Sequence, residues 1–260
     1  MCSAHTHSHG EHCSHGHHDH SQSPGAGHHH HDHHNPGEPP HTGSYAERNK
    51  EYFDTKAAVY DDLPGTQALL QSLSAAMRKV YNFDENTTTL LDFACGTGLL
   101  SRNLAAHTKS IVGADISQGM VDQYNLRVSN QGIAPEEMKA IRVELKGQEG
   151  ELDGAKFDVV ACSMAYHHFE SIESITKILT FFLKPGGVLL VGDILNSGGD
   201  FVFHKDEKAH HYVPHKSGFT SDEMKKVFED AGLKEFVFEQ VTVMKKDGQD
   251  IPIFLARGTK

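Results

Sequence analysis

From Tyr45 to Lys260 the chain runs in two apolar rhythms. Short apolar runs at 89–93, 110–115, 139–145, 157–164 and 188–194 read as buried strands. Between them, apolar residues return three and four positions apart. That spacing predicts a helix beginning at Leu99 and others over 118–130 and 172–183. Two amphipathic helices, over 47–60 and 66–81, come first, separated by Asp61-Asp62-Leu63-Pro64-Gly65. Strands alternating with helices predict an α/β fold with a mostly parallel, doubly wound sheet. The end of the chain changes register. Asn196–Gly218 fits neither rhythm, a helix capped by Thr220 or Ser221 runs to Ala231-Gly232, and 236–244 and 251–256 alternate as strands around Asp247-Gly248, a hairpin signal.

Residues 1–44 follow neither pattern. Fifteen of the 22 histidines fall between His5 and His41, among Gly, Ser, Pro and a few acids. Such a segment buries too little apolar surface to offset its ordering entropy, so it is expected to be a disordered tail, with the folded domain over 45–260. Runs such as His28–His34, with Cys2 and Cys13, suit Zn, Ni or Cu. A purification tag is the alternative, but these histidines are scattered among Asp, Glu, Cys and Ser. A net charge of −11 argues against nucleic acid or an anionic membrane as partner. No apolar run is long enough to span a bilayer, and the four cysteines show no disulfide framework. A reducing cytoplasmic setting is the expectation.

The first strand leads into Asp92-Phe93-Ala94-Cys95-Gly96-Thr97-Gly98, a small-residue turn that opens a helix and lets a ligand approach the backbone closely. A pyrophosphate here would meet the Asp92 carboxylate, and like charges repel. A dinucleotide fingerprint counted from Gly96 also puts Ser101 at its last position. A cationic ligand fits better. The second strand ends in Asp115, twenty-three residues beyond Asp92, where a doubly wound sheet places an acid against ribose hydroxyls.

These motifs resemble those of the class I S-adenosylmethionine-dependent methyltransferases, with Ala94 standing where many members carry a first glycine. Phe53-Asp54-x-x-Ala57-x-x-Tyr60-Asp61 is similar to the opening helix that closes over the cofactor in that family. Lys184-Pro185-Gly186-Gly187 before a strand, and the terminal hairpin, carry the resemblance across 49–260. It implies a seven-stranded sheet in the order 3-2-1-4-5-7-6, a helical N-terminal cap, and S-adenosylmethionine as cofactor.

By the same resemblance the cofactor-binding candidates are Tyr60, Asp92, Ala94, Gly96, Asp115, Ile116, Met120 and Ser163. Ile116 would pack on adenine; Met120 suits either that pocket or the core. Glu144 or a later acid would meet the adenine amino group. His167, in the pair His167-His168 after the fourth strand, is the candidate general base, with His168 assigned to packing. The segment 196–218 would form a substrate lid, although His210, His211 and His215 also have spacing a metal could use. The implied activity is methyl transfer to an O, N, S or C nucleophile of a small molecule. A protein methyltransferase and a metal-handling protein built on the tail are the rivals.

Overall fold

The computed structural model describes residues 43–198, 203, 212–246 and 248–260. The expectations placed on 1–42, His204, His210, His211 and Asp247 lie outside these residues. Ser44 does not belong to a tail. Its hydroxyl caps the first helix, α1 (Tyr45–Lys56), and the Glu47 side chain reaches back to complete a capping box.

The predicted helix over 47–60 divides in two. The α-helix ends at Lys56, and Ala57–Asp62 winds on as a tighter 3-10 turn. The chain continues through α2 (Thr66–Val80), β1 (Thr89–Phe93), α3 (Leu99–Leu104), β2 (Ser110–Asp115), α4 (Gln118–Asn130), β3 (Met138–Arg142), β4 (Phe157–Ser163) and α5 (Ile172–Phe181). Then come β5 (Leu183–Ile194), α6 (Ser221–Asp230), β6 (Lys234–Lys246) and β7 (Gln249–Thr259). The seven strands order as β3-β2-β1-β4-β5-β7-β6, parallel except where β7 pairs antiparallel with both β5 and β6. This is the predicted sheet.

Two boundaries moved for identifiable reasons. β3 stops at Arg142 rather than 145, because the amides of Lys146 and Gln148 turn to the Glu151 carboxylate at 2.8 and 2.7 Å. The predicted turn at 184–187 is a bulge inside β5, with a register shift opposite Phe157 and Val159. Gly187 is required there: a Cβ would lie 3.0 Å from three backbone carbonyls.

Alternation along the strands feeds two cores, one on each face. Leu90, Val159 and Leu190 pack with Leu73 and Met77 of α2, while Leu91, Val160 and Leu189 pack with Phe182 and Phe228. Among the described residues no helix is long and apolar enough to cross a membrane.

Candidate active site

The carboxyl ends of β1, β2 and β4 meet under α1. At the end of β1 the chain reverses through Ala94 (φ 53°), Gly96 (φ 53°) and Gly98 (φ 83°). Ala94 holds a left-handed conformation that glycine would adopt without strain. Gly98 has no substitute, since a Cβ would sit 2.6 Å from the Tyr124 ring. The Gly96 amide donates to Asp115 Oδ2 at 2.9 Å and the Ser117 amide to Oδ1 at 2.8 Å. Burial raises the Asp115 pKa, and these backbone donors only partly offset it. Each carboxylate oxygen keeps further acceptor capacity, enough for two hydroxyls.

Beside this turn lies a cavity of about 380 Å³, within the range of small-ligand sites. Ala94, Gly96 and Ser163 form its floor, and Asp115, Ile116 and Met120 one flank. Glu144 and Leu145 close the end beyond β3, and His168 and Phe169 the opposite wall. Tyr45, Asn49, Phe53 and Tyr60 form the roof. The Tyr60 phenol is pushed up to about 12 by burial and by the Asp115 carboxylate.

Three side chains that sequence reasoning did not assign hold the roof down. Asp54 accepts from Ser117 Oγ at 2.6 Å, the Gly119 amide at 2.9 Å and Lys50 Nζ at 2.9 Å. Burial raises its pKa, but those donors win and bring it to about 2. Asp61 accepts from Arg102 Nη2 at 2.6 Å, pairs with Arg127 Nε at 3.0 Å, and takes the Thr97 hydroxyl. Asn49 Nδ2 donates to the carbonyls of Tyr45, His168 and Tyr212. Asp54 and Asp61 are the acids of the Phe-Asp and Tyr-Asp pairs in the opening motif, the one signal that singled them out.

Seven of the nine proposed site residues, Tyr60, Ala94, Gly96, Asp115, Ile116, Met120 and Ser163, line the cavity. Two do not. Asp92 is 2% exposed and turned under the sheet, where Ser101 Oγ donates to it at 2.6 Å. Burial lifts it to about 7, partly countered by Ser101. His167 is 2% exposed, and its Nδ1 donates to Asp193 Oδ1 at 2.7 Å; Asp193 is fully buried in β5. The two rings are placed the other way round from the expectation: His168 lines the cavity wall, and its Nδ1 donates to the Tyr212 carbonyl at 3.2 Å. A carbonyl only accepts, so this contact fixes the His168 tautomer. Among the described residues no group of three or more His, Cys, Asp or Glu is placed to hold a metal.

A family model for a methyltransferase domain matches residues 91–189. An uncharacterized methyltransferase of Schizosaccharomyces pombe is 37% identical over 188 residues, covering 69% of this chain and 66% of that protein. The chain belongs to the class I S-adenosylmethionine-dependent methyltransferases. A ubiquinone biosynthesis O-methyltransferase of Acinetobacter baylyi is 26% identical over 44% of this chain and 47% of its own length. The chain therefore spans about two thirds of the first of these relatives and about half of the second. The magnesium protoporphyrin IX methyltransferase of Synechocystis PCC 6803, solved with bound S-adenosylmethionine, superposes with a TM-score of 0.59 at 16% identity. That match covers 84% of this chain and 99% of that one, and it shows the shared fold.

The cavity of this methyltransferase fits the family's cofactor. It offers a two-oxygen acceptor in Asp115, apolar surface in Ile116, Met120 and Leu145, and a close backbone approach at Gly96. The buried Ser163 Oγ on its floor has no hydrogen-bond partner among the described residues.

Proposed function

We propose that this methyltransferase transfers the methyl group of S-adenosylmethionine to an O, N, S or C nucleophile of a small molecule. One observation carries the reading: one roofed cavity is lined both by Asp115 and, on another side, by His168 and Phe169, so the acid that suits the cofactor and an aromatic wall share a site. Bound there, S-adenosylmethionine supplies a methyl group already activated by its sulfonium. Asp115 takes the ribose hydroxyls, Ile116 and Met120 pack beside the adenine, and Ala94 and Gly96 leave room over the turn. Ser163 and Tyr60 add hydroxyl-bearing side chains to the same lining. Alignment and exclusion of water carry most of the rate in such a transfer, and the roof pinned by Asp54 and Asp61 supports both. His167 and Asp193 then brace the wall that presents His168.

A protein acceptor would need an open groove, and α1 with Tyr60 covers this one. The Acinetobacter relative, an enzyme of ubiquinone biosynthesis, supports a small-molecule acceptor as well. The histidine-rich residues 1–42 are proposed as a divalent-metal-binding extension of a cytoplasmic enzyme, separate from the catalytic domain. Calorimetry with S-adenosylmethionine tests the cofactor site. Asp115→Ala should weaken binding about tenfold or more through loss of bonds to a charged acceptor. Unchanged affinity in a folded variant would remove Asp115 from the site. Deleting 1–42, which spares the Ser44 cap, should leave that affinity intact while abolishing most Zn or Ni uptake. Uptake by the full chain should fade below about pH 6.5, as imidazole protonates. Loss of cofactor binding on truncation would show the segment to be part of the enzyme.

A further inference from the structure

Six buried side-chain polar atoms among the described residues lack a hydrogen-bond partner, and two belong to residues lining the cavity: Ser163 Oγ on the floor and Asn49 Oδ1 in the roof. Asn49 is 5% exposed. Its amide orientation is fixed, because Nδ2 faces the carbonyls of Tyr45 at 2.9 Å, His168 at 3.2 Å and Tyr212 at 3.0 Å. A flipped amide would set its oxygen against three other oxygens, with nothing to donate between them. The atom left without a partner is therefore the acceptor. A buried acceptor in this state costs about 1–3 kcal/mol relative to a satisfied one, so a ligand that donates to it is favoured.

Asn49 ties the roof to the segments that follow β4 and β5. Of its partners, His168 lines the cavity wall beyond β4, and Tyr212, in the segment after β5, accepts from the His168 ring without itself lining the cavity. The surfaces around it are aromatic: Tyr45 and Phe53 in the roof, Phe93 and Phe169 opposite, with the His168 ring 5.2 Å from Phe53. Resting on the methyltransferase reading, we infer that Asn49 Oδ1 is the polar anchor of the acceptor subsite. The molecule it selects is an aromatic compound bearing a hydroxyl or amine hydrogen, with the ring against the aromatic walls and the O–H or N–H donated to Asn49.

Phenol and toluene, matched in shape and differing in that donor, are the probes. The full chain is first saturated with S-adenosylhomocysteine, followed by calorimetry, and each probe is then titrated by NMR on protein labelled at the Asn side chains. Phenol should shift the Asn49 side-chain amide resonances and toluene should not. The affinity ratio of phenol to toluene should fall about tenfold in Asn49→Leu, the equivalent of about 1.4 kcal/mol. The wild-type spectra need no variant, so a poorly folded Asn49→Leu leaves the test standing. The inference is overturned if the cofactor product binds and yet neither probe does. It is equally overturned if phenol leaves the Asn49 resonances in place, or if a folded Asn49→Leu keeps the wild-type ratio. A chain that fails to bind S-adenosylhomocysteine at all refutes the methyltransferase reading instead, and calorimetry reports that before any probe is added.

Discussion

Asp61→Ala tests whether the roof is held by charge. Asp61 is 11% exposed, and its arginine partners Arg102 and Arg127 are 22% and 20% exposed. At separations of 2.6 and 3.0 Å, each attraction is worth roughly 6 kcal/mol gross at an effective dielectric of about 20. Desolvation cancels much of this. Removing the shared carboxylate leaves two mostly buried guanidiniums without it, and breaking a fully buried pair in this way costs about 3–5 kcal/mol. With a fifth of each arginine in water, about 2–4 kcal/mol is the expected loss. For a domain of this size that lowers Tm by about 5–12 °C. Because the 3-10 turn also carries Tyr60 over Asp115, S-adenosylmethionine affinity should fall about tenfold as well. Asp62→Ala, at an exposed neighbouring position, is the control and should change neither quantity. Scanning calorimetry and a binding titration read both effects. If Asp61→Ala melts within 1 °C of wild type with unchanged affinity, the clasp contributes nothing and the roof is held by packing alone.

Substitutions at Asp92 and at the histidine pair address the two residues that lie off the cavity. In Asp92→Asn the carboxylate that burial lifts to about 7 is gone. The folded wild type keeps a proton that the unfolded chain releases above about 3.8, so its stability falls as pH rises from there to about 7. Relative to wild type, the variant should gain up to about 4 kcal/mol between pH 4 and 7.5 in urea unfolding, with cofactor affinity within about threefold. A tenfold affinity loss would return Asp92 to the cofactor site. His167→Leu strips Asp193 of its ring partner and should chiefly lower stability, by about 1–3 kcal/mol, whereas His168→Gln should chiefly lower turnover. A His167→Gln variant of normal stability and cofactor affinity that loses about a hundredfold in turnover would restore His167 as the base.

The sheet was legible because its signals are local. Leu90, Leu91 and Phe93 before a small-residue turn, or the apolar run of 251–256, need no distant partner to be read. The roof clasp was not legible, because Asp61 finds Arg102 and Asn49 finds Tyr212 across 41 and 163 residues. The Tyr-Asp pair of the opening motif marks Asp61, but nothing in the neighbourhood of either side chain names its distant partner. The exchanged histidines mark a different limit: spacing places the pair after β4, but the 3-10 turn Tyr166–His168 decides which ring meets Asp193. Asp92 shows the limit most plainly. An acid at a strand end suggests a group facing the ligand, yet successive side chains in a strand point to opposite faces. Phe93 takes the cavity side, so Asp92 falls on the face of Leu90, under α3, where Ser101 is waiting. Sequence locates such an acid along the strand. The helix that packs over it decides whether it meets a cation or keeps a proton.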